Sequence, residues 1–351
     1  MNMFKKQTIA KAVGLALTAG ALVTIAAPAS ATLVLSGAWQ DAALSIDAFG
    51  STSNSGSLSV DTPGGAQVLQ AYLYGSDIWG DGLKNVTLQG NLLSTGSGTL
   101  LAPNANPANT MRWDVTSILK PLIEGTNGLQ NFSISESSGM DGEVLVVVYK
   151  AASTTGGTAI ILDGELALAG DSTSLAFAAP YASGDVIMSL ASSFSYNGSS
   201  TTDVSGQITT VDVVTSSTAS RRLSGCAGGN DDGSFEGANS ALMTAGGIGD
   251  STANPNPNCA GGAGDDELYN LALGNVVDAT PFLKAGDTSV TFNTVNPSFN
   301  DNVFFLGFTT TFKITNVDGD PIDGNVPEPA SLALLGIGLA GLGAMRRRKQ
   351  S

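Results

Sequence analysis

The chain has 351 residues, of which 42% are hydrophobic and 13% charged, and it contains 44 glycines and no histidine. The hydrophobic share is sufficient for a folded core and argues against general disorder, and the length suits one large or two medium domains. The absence of histidine excludes Ser-His-Asp and Cys-His catalytic systems, histidine general bases and histidine metal sites.

The formal net charge of −15 understates the acidity of the central part, because seven of the 15 basic residues lie near the two ends. The remaining eight basic residues stand against 30 acidic ones in the whole chain. An acidic body repels nucleic-acid phosphates, so we expect no nucleic-acid partner. It attracts divalent cations or basic partners, or it serves solubility alone.

The N-terminus has the three-part pattern of a secretory signal peptide. A lysine-containing start precedes an apolar stretch at residues 13–27, and Ala29 and Ala31 form the small-x-small pattern that signal peptidase requires. We therefore predict that residues 1–31 form a signal helix that is removed, and that the exported protein begins at Thr32.

The central part of the chain reads as short strands separated by Gly-rich and Asn/Asp-Gly turns. No long amphipathic helix interrupts them, which predicts an all-β sandwich or jelly roll. The stretch 143–150 is apolar on both faces, so we expect a central strand there. The predicted strands are 32–37, 43–49, 67–75, 84–90, 130–137, 143–150, 158–164, 185–198, 207–216, 289–295 and 302–317.

A sequence repeat divides this central part into two. DVTSILK, which begins at Asp114, resembles DATPFLK, which begins at Asp278, and each is followed by a turn, an alternating strand, an acidic turn and a long apolar strand. We predict two copies of one β-sandwich unit, at residues 32–152 and 153–325. We expect each leading aspartate to accept backbone N–H bonds from the helical turn that follows.

Cys226 and Cys259 are the only cysteines. In an exported protein, an even pair is most simply a disulfide. Closing the loop 226–259 would stabilise the fold by about 3–4 kcal/mol in the chain-entropy model. The alternative, a metal-thiolate pair, lacks other soft ligands.

Each cysteine begins a CAGG stretch that leads to an acidic cluster. A disulfide would bring the clusters together, and close carboxylates repel one another unless a cation lies between them. Carboxylates on flexible Gly/Asn loops are typical Ca²⁺ ligands, so we predict a calcium site; the alternatives are solvated turns and a carboxylate-pair glycoside hydrolase site. The candidate residues are Asp231, Asp232, Glu236, Asp250, Asp265, Asp266 and Glu267.

The C-terminus combines three elements in a fixed order. Pro327, Glu328 and Pro329 precede a glycine-rich apolar stretch at residues 330–345, and a basic cluster follows. The apolar stretch has 16 residues, slightly fewer than the roughly 20 of a typical spanning helix, and we predict a transmembrane helix whose basic end stays on the cytoplasmic side. The basic cluster consists of Arg346, Arg347, Arg348 and Lys349.

These three elements resemble the PEP-CTERM sorting signal, which would occupy residues 326–351. The resemblance implies an exported protein of a Gram-negative bacterium, where such proteins accompany exopolysaccharide and biofilm. It also implies a transient inner-membrane intermediate, recognised at its Pro-Glu-Pro motif by an exosortase that removes the helix. The first sandwich unit loosely resembles surface β-sandwich domains of uncharacterised function in secreted bacterial and archaeal proteins.

We therefore expect a non-enzymatic protein of the cell surface or extracellular matrix, flanked before processing by a signal helix and a transmembrane helix. Its expected partners are signal peptidase, an exosortase-type enzyme and extracellular polysaccharide. The alternatives are a Ca²⁺-dependent carbohydrate-binding protein and a carboxylate-dependent glycoside hydrolase.

The calcium hypothesis predicts the effect of replacing Asp231, Asp232, Asp265 and Asp266 with Asn. In a structural protein, this variant should melt at a lower temperature and lose the stabilisation that Ca²⁺ gives the parent, which is about 2.7 kcal/mol at 100 times Kd. Thermal melts with Ca²⁺ and with chelator measure this. An equal Ca²⁺ response in both proteins would contradict the site, and loss of a hydrolytic activity would favour the hydrolase.

Overall fold

The structure, a computed structural model, is built almost entirely of antiparallel β-sheets, which confirms the predicted all-β class. Within the described residues, no helix is long and apolar enough to cross a membrane. The predicted signal peptide 1–31 and transmembrane helix 330–345 lie outside them. The described residues are 32–50, 53–78, 82–101, 108–167, 169–193, 209–227, 243–258, 267–296 and 302–322.

Among the described residues, the first part of the chain forms ten strands and one α-helix, α1 (Thr116–Ile123). The strands are β1 (Val34–Gln40), β2 (Ala43–Gly50), β3 (Ser55–Thr62), β4 (Gln67–Ile78), β5 (Val86–Leu88), β6 (Asn91–Leu93), β7 (Thr99–Leu100), β8 (Ala108–Asp114), β9 (Gly128–Glu136) and β10 (Gly142–Lys150).

The second part forms eleven more described strands. They are β11 (Thr158–Asp163), β12 (Asp171–Phe177), β13 (Val186–Ser193), β14 (Thr209–Thr215), β15 (Arg221–Ala227), β16 (Met243–Ala245), β17 (Leu268–Asn270), β18 (Ser289–Val295), β19 (Asn302–Thr310), β20 (Ile314–Val317) and β21 (Asp320–Pro321).

These strands form two sandwiches, each with an inner and an outer sheet. In the first sandwich, the inner sheet has the order β2-β10-β4-β8-β7 and the outer sheet β3-β9-β5-β6. In the second, the inner sheet is β1-β11-β19-β13-β16, with β17 also paired to β13, and the outer sheet is β15-β14-β18-β12-β20-β21. When the additional strands β1, β7, β17, β20 and β21 are left out, each sandwich has eight strands in the order 1-8-3-6 and 2-7-4-5, which is the order of a jelly roll.

The repeat seen in the sequence has the same place in both sandwiches. β9 and β10 follow Asp114, and β18 and β19 follow Asp278 in the equivalent outer and inner sheets. Asp114 accepts the N–H of Thr116, and Asp278 accepts the N–H of Thr280, both at 2.9 Å. Each aspartate therefore accepts a backbone bond two residues ahead, but only for Asp114 does the donor belong to a helical turn, as predicted.

Only the first copy continues as a helix. In the second copy, the N–H groups of Phe282 and Leu283 donate to the carbonyls of Leu273 and Leu271. Those donors are thus satisfied by the neighbouring loop instead of by a helical turn, and the segment forms turns that bury both side chains in the second core.

The prediction for residues 143–150 is confirmed, because β10 pairs with β2 on one side and β4 on the other. Its side chains alternate between two cores, as a strand's must. Leu145 and Val147 lie in the core of the first sandwich, whereas Val144, Val146 and Val148 face the second sandwich. A strand covered on both faces requires this unbroken apolar run.

The predicted single strand 302–317 is wrong in one respect, since it is two strands. β19 ends at Thr310 in the inner sheet, and β20 begins at Ile314 in the outer sheet. The intervening Thr311 donates its N–H to the carbonyl of Asp185 at the end of the sandwich. Periodicity does not reveal this change of sheet, because both pieces remain apolar.

The first strand connects distant parts of the chain. β1 comes from the predicted first unit, but it pairs with β11 in the inner sheet of the second sandwich. The two inner sheets also share a buried cluster that includes Ile46, Val146, Ile161 and Phe304. Four sheets are therefore stacked within one compact unit, with an apolar layer between each sheet and the next.

A polar network lies between the inner sheets. The carboxylate of Asp163, at the end of β11, accepts hydrogen bonds from the hydroxyls of Tyr74 and Ser36 and from the guanidinium of Arg112. The guanidinium also lies 4.7 Å from the ring centroid of Tyr72. Asp163 is almost fully buried, and such a charge is tolerable only because it is paired and hydrogen-bonded.

We predict that Asp163→Ala lowers the free energy of unfolding by about 3 kcal/mol, because it leaves the Arg112 charge without its partner. Asp212→Ala is the matched control, since Asp212 also accepts two bonds from an arginine, Arg222, but at the surface. It should cost less than about 1 kcal/mol. Chemical denaturation measures both, and equal losses would contradict the role of the network.

Candidate functional site

The residues predicted for the calcium site are only partly described. Asp231, Asp232, Glu236, Asp265, Asp266 and Cys259 lie outside the described residues, as does the side chain of Cys226, whose backbone lies in β15. The disulfide and the calcium site therefore stay predictions. Within the part of the chain that the structure describes, no three Cys, Asp or Glu side chains are arranged to hold a metal ion.

The two candidate calcium ligands that the structure describes, Asp250 and Glu267, lie in different environments. Asp250 accepts the N–H of Gly247 and closes a local turn. Glu267 is fully buried where the chain enters β17. Neither placement identifies a calcium ligand, so the calcium site stays a prediction from the sequence.

A buried pair of carboxyl groups lies at one end of the first sandwich. Glu136 is the last residue of β9, and Glu143 is the second residue of β10. Glu143 has no exposed surface, Glu136 has 8%, and an oxygen of Glu136 accepts the N–H of Met140 at 2.7 Å. The turn between the strands thus holds the two carboxyls against each other.

Burial sets the protonation of this pair. Burial, with a smaller contribution from the nearby charge of Asp77, raises the pKa of Glu136 to about 7, although the hydrogen bond from the N–H of Met140 opposes the shift. Burial also raises the pKa of Glu143 well above its ordinary value, and the charge of Glu136 adds to this effect. Neighbouring carboxyls disfavour each other's ionisation, so we expect the pair to hold a proton at neutral pH.

Sequence reasoning missed this pair. A glutamate that opens a strand apolar on both faces is a usable signal, because such a position is buried whatever its residue type. The partner, Glu136, has no comparable signal, since its strand alternates and many of its neighbours are exposed.

A groove lies at the junction of the two sandwiches. Its larger part has a volume of about 310 Å³, within the range of roughly 300–1,000 Å³ for small-molecule sites. Its smaller part has a volume of about 170 Å³. Ala43, Tyr149 and Thr309 line both parts, so the two parts adjoin and Tyr149 lies where they meet.

The walls of this junction groove come from both sandwiches. Leu44 of β2 donates its N–H to the hydroxyl of Thr309 in β19, and Ile248 donates its N–H to the carbonyl of Ile46. A Cβ atom at Gly247 would lie 2.2 Å from that carbonyl oxygen, so only glycine permits this approach. The groove therefore exists only when the two sandwiches are packed together.

Tyr149 and Asp61 give the groove its chemical character. Tyr149 is half-buried, and burial together with the charge of Asp61 raises the pKa of its hydroxyl. Asp61 is exposed and, among the residues that the structure describes, is the only charged residue that lines either part. The remaining polar lining consists of hydroxyls and backbone groups, which suits a ligand recognised by hydrogen bonds.

Residues 325–349 match the family model described as the PEP-CTERM protein-sorting motif. This match confirms the sorting signal predicted from Pro327, Glu328 and Pro329. It defines the chain as a protein that carries a PEP-CTERM signal, a class sorted by exosortase and exported through a membrane-bound intermediate. No curated protein matches the chain.

Solved structures show only weak similarity. PNGF-II covers 78% of this chain, which spans 61% of PNGF-II, at 8% identity and a TM-score of 0.26. Recombinant N-glycanase F (PNGase F) covers 82% of this chain, which spans 99% of that protein, at 11% identity and a TM-score of 0.22. The major capsid protein P2 of bacteriophage PM2 covers 78% of this chain, which spans 98% of that protein, at 11% identity and a TM-score of 0.20. These scores carry no argument about activity.

The carboxyl pair predicts a pH effect on stability. In the unfolded chain, glutamate ionises above its ordinary pKa of about 4.3, whereas the folded pair keeps its proton to about pH 7. The folded state then binds more protons, so its stability falls as the pH rises through this window. Glu143→Gln should reduce this fall and raise the free energy of unfolding at pH 8 by at least about 1 kcal/mol.

Denaturation series between pH 4 and pH 8 would measure this effect. Leu129→Ala, an exposed apolar change on the same strand as Glu136, is the control and should leave the pH dependence as in the parent protein. An unchanged slope in Glu143→Gln would show that the pair is ionised in the folded protein.

Proposed function

We propose that this chain is a non-enzymatic protein of the cell surface or extracellular matrix, associated with the exopolysaccharide of a Gram-negative biofilm. The observation that carries the proposal is the sorting motif at residues 325–349. The sorting signal implies that an exosortase handles the exported chain at the membrane. The body that reaches the outside then consists of the acidic β-sandwiches.

The absence of enzymatic activity is part of the proposal. It is supported by the lack of histidine in the whole chain and by the burial of the Glu136–Glu143 pair, where Glu143 has no surface that a substrate could reach. A general acid or base must come within hydrogen-bond distance of its substrate. The glycoside hydrolase hypothesis rests on loop carboxylates outside the described residues and gains no support here.

Carbohydrate binding is the second candidate, and the junction groove favours it. The groove combines one aromatic side chain with hydroxyls and one carboxylate, as expected for a ligand rich in hydroxyl groups. Its dependence on Ca²⁺ stays a prediction, because the proposed ligands lie mostly outside the described residues.

Replacing Pro327, Glu328 and Pro329 with Ala should keep the protein in the membrane fraction with its C-terminal segment attached. The parent should appear at the cell surface or in the medium as a shorter chain, because its sorting segment is recognised and removed. Fractionation with mass spectrometry of the C-terminal peptide measures both. Deletion of residues 326–351 should also change the location, and identical fractionation of all three proteins would refute the sorting mechanism.

A further inference from the structure

The junction groove is elongated. It follows β19 from Gly307 to Thr310 and continues to Thr311, just beyond the end of the strand. The three residue steps within the strand, of about 3.3 Å each, give it a length of roughly 10 Å there. An elongated groove of this length suits a chain-like ligand better than a compact one.

The hydroxyls of the groove retain hydrogen-bonding capacity. Ser45, Thr309 and Thr311 each accept a backbone N–H bond, from Asp61, Leu44 and Asp185 respectively. A hydroxyl that accepts one bond still has its own proton to donate. These bonds also hold the side chains in place, so their remaining donors are oriented before a ligand arrives.

The charge of the groove selects against several occupants. Within the described part of the chain, no lysine or arginine lines either part of the groove, and the whole chain carries a net charge of −15. We therefore expect an anionic polymer to be repelled. A peptide strand would need the edge of β2, but Leu44 and Ile46 on that edge are bonded to the second sandwich. An uncharged ligand with many hydroxyls meets neither obstacle.

Tyr149 supplies a surface for the apolar face of such a ligand. Its half-buried ring lies where the two parts of the groove meet, and tyrosine combines an apolar ring with a polar tip. A sugar ring has the matching character, with C–H bonds on its faces and hydroxyls on its edge.

We propose that the junction groove binds an uncharged, extended saccharide chain, with Tyr149 stacking on one sugar ring and with Asp61, Ser45 and Thr309 as hydrogen-bond partners. The proposal rests on the proposed function in one respect, namely that the exported body meets extracellular polysaccharide. It assigns that contact to described residues and requires no metal ion.

The test uses the protein recovered from the extracellular or surface fraction after cellular processing. Isothermal titration calorimetry measures its binding to cello-, malto- and N-acetylated chito-oligosaccharides, and to an anionic oligogalacturonate. At least one neutral oligosaccharide should bind, with an affinity insensitive to NaCl, and the oligogalacturonate should not. Tyr149→Ala should weaken binding at least tenfold, or ~1.4 kcal/mol, whereas Tyr149→Phe should stay close to the parent.

Two further variants separate binding from folding. Ser153→Arg places a bulky side chain at an exposed position in the groove wall and should also weaken binding without changing the melting temperature. Leu129→Ala, at an exposed position on β9, is the control and should bind as the parent does. The proposal is overturned if no neutral oligosaccharide binds, if Tyr149→Ala and Ser153→Arg bind normally, or if the anionic chain binds better.

The outcome of the saccharide-binding test is independent of sorting. Failure of saccharide binding in a protein that is processed and exported normally overturns the groove proposal and leaves the surface assignment intact. Failure of processing overturns the sorting proposal, whatever the purified protein binds.

Discussion

The contact between the two inner sheets is the constraint on which the rest of the structure depends. Each inner sheet is covered on both faces, by its own outer sheet and by the other sandwich, and β10 is therefore apolar throughout. The same contact buries Asp163, whose carboxylate is paired with the charge of Arg112 and accepts a hydrogen bond from Tyr74, both on strands of the first sandwich. Separating the sandwiches would expose a large apolar surface and break this network, so we regard them as one cooperative unit.

The two sandwiches are alike in strand order but differ in detail. Both sandwiches have the same strand order, so their inner sheets are equivalent surfaces that pack against each other. The copies differ where a loop supplies an alternative partner for backbone groups, as at Phe282 and Leu283, which replace a helix by turns. The junction groove belongs to neither copy alone, because one wall comes from β2 and the other from β13 and β19.

Much of the fold could be predicted from alternation and turns, including the central position of residues 143–150 and the role of Asp114. Strands such as β3 and β12 were missed because they are rich in serine and threonine, and only their buried positions, such as Leu58 and Leu175, mark them. The candidate sites were less predictable. The acidic loops near the cysteines form a recognisable cluster in the sequence. Glu143 and Tyr149, in contrast, lie in one apolar strand whose pattern indicates only a buried strand.

Local patterns determined what the sequence alone could predict: the export signal, the sorting signal that the family model confirms, the all-β class and the repeat. Each of these features depends on neighbouring residues. Strand alternation and peptidase recognition, for example, both act over a short stretch of chain. Only the tertiary structure decided that β1 joins the second sandwich, that Glu136 meets Glu143 in a buried pair, and that Tyr149 lines a groove between sandwiches. Those features depend on which distant surfaces pack together, and packing is selected by the whole apolar surface of the sheets and by no single motif.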